Sequence, residues 1–154
     1  MAEQSNALNQ LVGFNLGAAY LQARRLFKKR MSALDLSPLE YFILALVDRQ
    51  GMHQARIGVA LDIPMQNLTV VLERMETRDL VVRLRSESDR RAQVVRLSDS
   101  GARLFGRARK IMPALERELL GPLRPAERKI FGQLLLQVAR GRAKTAGSTK
   151  RATL

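Results

Sequence analysis

A chain of 154 residues, 46% of them apolar, has enough material for one domain's core, and wholesale disorder is excluded. Having no cysteine excludes a disulfide framework, a thiol nucleophile and a thiolate metal site, and a single histidine, His53, argues against a histidine metal centre. The 27 Lys and Arg outnumber the 14 Asp and Glu, and nucleic acid is the obvious polyanionic partner for the resulting +13.

Residues 6–32 carry Leu8, Leu11, Val12, Leu16, Ala19, Tyr20, Ala23, Phe27 and Met31, the spacing of one long amphipathic helix. The basic cluster Arg24, Arg25, Lys28, Lys29 and Arg30 lies beside that stripe. Ser37-Pro38-Leu39-Glu40 then reads as a helix start. Ser37 caps, Pro38 fits the first helical position, and Glu40 closes a capping box. The helix behind it is expected to bury Leu39, Phe42, Ile43, Leu46 and Val47 and to stop at Gly51. A short helix from Gln54 to Leu61 ends at Asp62-Ile63-Pro64. The next starts near Pro64 and buries Leu68, Val71, Leu72 and Met75.

The period then changes from helix to strand. Leu80 to Arg85 and Gln93 to Leu97 read as a hairpin around the polar loop Ser86-Glu87-Ser88-Asp89-Arg90-Arg91, which makes a second basic cluster with Arg83, Arg85 and Arg96. Ser98 offers a cap for a helix carrying Leu104, Ala108, Ile111, Leu115 and Leu119, in which Pro113 marks a kink or a restart. A last helix starts near Pro125, has Glu127 in its first turn, and is expected to bury Ile130, Phe131, Leu134, Leu135 and Val138. Residues 141–154 keep basic side chains among Gly, Ala, Ser and Thr without apolar period. They read as a mobile basic extension that either aids solubility or touches DNA.

A short helix, a tight turn, a second amphipathic helix and a basic hairpin together suggest a winged helix-turn-helix. With Leu68, Val71, Leu72 and Met75 facing a core, the second helix presents Gln66, Asn67, Thr69, Val70, Glu73 and Arg74. Gln and Asn suit adenine edges, Arg suits guanine, and the Thr and Val methyls suit thymine methyls. Arg90 and Arg91 at the hairpin tip fit a minor groove of negative potential. Each of these taken singly is equally a solvated surface residue. Their conjunction with the net charge favours DNA binding.

The stretch Ala55-Arg56-Ile57-Gly58-Val59-Ala60-Leu61-Asp62-Ile63, with Asn67-Leu68-Thr69 and Leu72-Glu73-Arg74-Met75-Glu76 after it, resembles the helix-turn-helix of MarR-family transcription regulators. Arg78-Asp79-Leu80-Val81, Asp89-Arg90-Arg91 and Val95-Arg96-Leu97-Ser98-Asp99-Ser100-Gly101 are similar to that family's wing. Asp79 stands where Gly is common, Ser98 where Thr is common, and Pro64 where a capping Ser or Thr often sits. The resemblance implies a mostly α fold: a winged helix-turn-helix lobe over residues 37–97 with a two-stranded β wing, and a helical dimerisation region over 6–34 and 98–139. It also implies a homodimer with interlocked terminal helices, and the chain's own long apolar stripes agree, because one small lobe cannot bury them.

Family resemblance further implies a bacterial, cytoplasmic, nucleoid-associated repressor that leaves a pseudo-palindromic operator when a small aromatic or anionic ligand binds. An aromatic acid or its coenzyme A thioester would suit. Tyr20, Arg24, Phe27, Met31, Tyr41 and His53 are the candidate lining. Core packing accounts better for Phe27 and for Phe42, and a solvated helix face accounts better for the basic cluster. The competing reading is an architectural or accessory nucleic-acid-binding protein without an effector. With no Gly-rich phosphate loop and no paired acids in a plausible pocket, no catalytic residue, metal or cofactor is expected. No apolar run approaches the roughly 20 residues that span a bilayer, and MAEQSNALNQ is not a signal peptide, so a soluble intracellular protein is expected.

Overall fold

The computed structural model describes residue 8 and residues 10–48, 50–85 and 92–145, with the side chains of 140–145 left aside. The elements run α1 (Val12–Met31), a 3-10 turn (Ser32–Leu34), α2 (Pro38–Val47), β1 (Met52–His53), α3 (Gln54–Leu61), α4 (Met65–Thr77), β2 (Val81–Arg85), β3 (Gln93–Leu97), α5 (Asp99–Leu119) and α6 (Pro125–Thr145). Two compact units divide between Leu115 and Glu116. No helix among the described residues is long and apolar enough to cross a membrane.

Local chemistry explains where the first unit's helices begin and end. The Ser37 hydroxyl accepts from the Glu40 amide at 3.3 Å while Glu40 Oε2 accepts from the Ser37 amide at 2.8 Å, the reciprocal box expected from the sequence. α3 closes with Asp62 in the left-handed region (φ 54°) and the Ile63 amide donating to the Gly58 carbonyl at 2.9 Å. α4 follows at once, with Pro64 as its cap and no side chain bonding its first amides. α1 starts after an extended Leu11 that makes no side-chain cap bond; Leu8 is also helical, and residues 6, 7 and 9 of the expected helix lie outside the described residues.

The core lies between these helices and the sheet: Phe27 and Met31 of α1, Ile43, Leu44 and Val47 of α2, Ile57 of α3, Leu68, Leu72 and Met75 of α4, Val81 and Val95 of the sheet, and Phe105 and Ala108 of α5. α2 departs from expectation. It buries Glu40, Ile43, Leu44 and Val47, leaving Phe42 48% exposed, so Phe42 is not a core residue. Apolar side chains surround this helix, and periodicity alone gave no reason to prefer the face that Glu40's partners select.

The sheet has three strands rather than a bare two-stranded wing. β1 pairs antiparallel with β3 (Met52 opposite Val95, His53 opposite Val94), and β3 with β2 (Val81 opposite Leu97), in the order β1-β3-β2. The base of the wing is fixed by Asp79, left-handed at φ 53°, whose carbonyl accepts from the Ser98 hydroxyl. Ser98 also caps α5 by accepting from the Gly101 amide at 2.9 Å, and α5 runs unbroken through Pro113.

In the second unit, Glu127 accepts from the Arg124 amide at 2.7 Å and so caps the start of α6. Ile130, Phe131, Leu134, Leu135 and Val138 are exposed in the single chain, not buried. α6 continues to Thr145, so residues 141–145, the start of the expected basic extension, are helical. Ala, Arg and Lys are good helix formers, and cations near a helix C-terminus complement its dipole. Residues 146–154 lie outside the described residues.

Candidate nucleic-acid interface

α4 buries Leu68, Leu72 and Met75, with Val71 half-buried beside them. Helical geometry then places Gln66, Val70, Glu73 and Thr77 along the outermost line. Asn67 and Arg74 fall on one flank and Thr69 on the other. Gln66, Asn67, Val70, Glu73 and Arg74 are all exposed. The predicted reading face therefore exists as a surface, but its members are not equivalent.

Thr69 is partly committed to the scaffold. Its hydroxyl donates to the Met65 carbonyl at 2.9 Å and accepts from Gln54 Nε2 at 3.1 Å. Gln54 is itself buried at the start of α3, so this chain of two bonds sets the angle of the helix-turn-helix. The sequence signal was there to be found: Gln54 is the polar member of the 54, 57, 58 stripe that α3 buries.

Arg74 is also held. Its Nη2 lies 3.1 Å from Glu40 Oε1, the same oxygen that accepts from Arg78 Nη1 at 2.9 Å. Arg78 Nη2 reaches back to the Asp35 carbonyl, joining the end of α4 to the turn before α2. Glu40 is 2% exposed. Burial alone would raise its pKa, but the two Ser37 hydrogen bonds and the charges of Arg74 and Arg78 outweigh it and hold the carboxyl below the ordinary glutamate value. Glu40 was legible only as a capping residue. That it is the sole acid in α2's apolar sequence is the clue that it needs a cation.

Of the second basic cluster, Arg83 belongs to the scaffold. Its Nε donates to Glu76 Oε2 at 2.8 Å and its amide to Glu76 Oε1 at 3.1 Å, tying β2 to α4 and raising the guanidinium's pKa. Arg85 and Arg96 remain exposed on the sheet, as does Arg56 on α3. Arg90 and Arg91, the predicted wing-tip readers, lie outside the described residues.

Two of the six candidate ligand residues belong to the core of the single chain. Met31 is wholly enclosed and Phe27 nearly so, and both are core residues here because α1 packs that face against α2. Phe27 touches Tyr41 edge to face at 5.8 Å between ring centroids, and Tyr41 meets Phe105 at 5.5 Å. Tyr20 and Arg24 are exposed on α1, two turns and one turn before Phe27 respectively. His53 lies on β1, opposite Val94. A cleft of about 530 Å³ lies at the helix-turn-helix, lined by residues that include Ala55, Val59, Ile63 and Met65.

With this geometry in place, comparison with known proteins is informative. The sequence model of the MarR family matches residues 34–92. The transcriptional regulator HosA of Escherichia coli O157:H7 is 30% identical over 123 residues, 76% of this chain and 91% of HosA. The transcriptional repressor CouR, solved on a 23-mer DNA duplex, superposes with a TM-score of 0.81 at 31% identity, over 86% of this chain and 94% of CouR. CouR bound to p-coumaroyl-CoA gives 0.78 at 29% identity, with the same coverage.

Proposed function

The chain belongs to the MarR family of DNA-binding transcriptional regulators, and on that premise we propose that it is a homodimeric repressor released from a pseudo-palindromic operator by a small anionic aromatic ligand. The observation that carries this reading is the coexistence of an exposed polar face on α4 with apolar faces on α1 and α6 that the single chain leaves uncovered: Leu16, Tyr20 and Leu21 on one, Ile130, Leu134 and Val138 on the other. Residues 6–34 and 98–139 assemble the dimer and 37–97 form the reading lobe. Two copies of α4 then enter major grooves about one helical turn, roughly 34–36 Å, apart.

In this reading Gln66 and Asn67 bond base edges, Val70 and the Thr69 methyl meet thymine methyls, and Arg74 takes guanine or phosphate. Arg90 and Arg91 enter the flanking minor groove, and the basic end of the chain contacts phosphates. Tyr20 and Tyr41 supply ring contacts for the ligand, with Arg24 as its charge partner and His53 as a polar wall. Phe27 packs edge to face against Tyr41 as support rather than lining, and Met31 belongs to the core. That CouR was solved with p-coumaroyl-CoA supports an aromatic acid or its coenzyme A thioester as the ligand class. The protein works in the bacterial cytoplasm on the nucleoid and carries out no catalytic step.

Footprinting on genomic fragments tests the DNA half of the proposal. One protected pseudo-palindrome is expected, and uniform coating would make the protein an architectural binder instead. Thermal-shift screening against aromatic acids and their coenzyme A thioesters tests the other half. A true inducer must bind operator-loaded protein more weakly, by the same factor by which it weakens operator binding.

A further inference from the structure

Glu40 carries two arginines on one oxygen, and the two are not alike. Glu40 Oε2 is committed to the Ser37 amide, and Oε1 accepts from Arg78 at 2.9 Å and pairs with the Arg74 guanidinium at 3.1 Å. The Arg78 side chain is 28% exposed and has a second anchor at Asp35, through both its carbonyl and its carboxylate at 3.3 Å. The Arg74 side chain is 59% exposed and stands on the flank of α4 beside the reading line, one turn beyond Val70. If Arg74 leaves, Arg78 and Ser37 still satisfy the buried carboxylate. Its departure therefore does not leave the orphaned buried charge that makes breaking such a pair costly.

We propose that Glu40 is a positioning residue that competes with DNA for Arg74 and thereby sets the selectivity of α4; this rests on α4 being the reading helix. Without DNA, Arg74 rests on Glu40. A correctly placed guanine edge or phosphate in a desolvated groove offers it a bidentate, charge-assisted contact that exceeds a half-exposed ion pair. A mismatched site offers only a loose contact, and Glu40 retains the guanidinium. The carboxylate thus weakens binding to every sequence, but most to those that do not present the right acceptor.

The test is a double-mutant cycle on the full-length chain, read by titration of operator and scrambled duplex. Glu40→Gln keeps the capping-box geometry, since Gln serves at that position, and removes the charge. It should tighten binding about two- to fivefold, the scale of an exposed ion pair, with the larger gain on scrambled duplex. In an Arg74→Met background the same substitution should change nothing. An equal change in both backgrounds, or no gain at all, overturns the proposal. Should Glu40→Gln fail to fold, the wild type answers through nitrogen-detected NMR of its arginine side chains: operator DNA must shift the Arg74 guanidinium resonances, and an unmoved Arg74 overturns the idea. Gln66→Ala separates the two levels. If it alters base preference while the Glu40 cycle is flat, only the competition fails; if it alters nothing, α4 is not the reading helix and the proposal falls with it.

Discussion

Gly101 of α5 lies directly against the carbonyl of Leu80: a Cβ built on Gly101 would sit 1.8 Å from the Leu80 oxygen. That oxygen also accepts from the Ser98 amide at 3.2 Å, so the start of α5 and the base of the wing share one packed junction. Gly101→Ala forces backbone apart at a site with no flexible neighbour to yield. It should cost about 1–3 kcal/mol by urea unfolding, and the helical dichroism of α5 should survive. Wild-type stability in this variant would mean the junction is looser than it stands here.

Gln54→Ala should loosen the helix-turn-helix without unfolding the unit. The Thr69 hydroxyl keeps its bond to Met65, so the expected cost is about 1–2 kcal/mol, mainly one buried hydrogen bond. Operator affinity should fall by more than stability accounts for, since the angle between α3 and α4 is no longer pinned. Chemical denaturation and operator titration on the same preparation make the comparison.

Acid should weaken the first unit through Glu40. Its carboxyl holds a proton less readily in the folded chain than in the unfolded one, so its contribution is complete above about pH 5 and is lost as pH falls from the usual glutamate value, about 4.3, through the lower folded one. Ser37→Ala removes one of the bonds that lower that pKa. It should cost about 1 kcal/mol at pH 7 and flatten the acid limb of stability against pH. An unchanged acid limb would show that Ser37 does not tune Glu40.

The uncovered face of α6 makes a direct prediction about assembly. Sedimentation at micromolar concentration should give about twice the 17.3 kDa of one chain. Leu134→Glu places a charge on that exposed apolar face. It should give a folded 17.3 kDa species whose operator affinity is about 100-fold lower, because two half-sites are no longer engaged together. A dimer that persists in this variant would move the interface off this face.

What the sequence determined by itself is local. The Ser37–Glu40 box and α3 from Gln54 to Leu61 stand where short-range rules place them, because each depends on groups within a few residues, and β3 from Gln93 to Leu97 stands where its alternation with the neighbouring β2 places it. Tertiary structure decided the rest, and it did so through contacts that sequence spacing does not encode. β1 is two residues long and exists only because β3, some forty residues on, supplies its hydrogen bonds. Which side of apolar α2 is buried was settled by Glu40, drawn inward by Arg78 across 38 positions, leaving Phe42 outside and Leu44 inside. The same long-range pairing made Arg78 a structural arginine, as the nearer Glu76 did Arg83, while Arg85 and Arg96 stay turned to solvent. Periodicity reports how many apolar residues a helix has to bury, but only the partners brought together by the fold choose which face is buried and which charges are left for DNA.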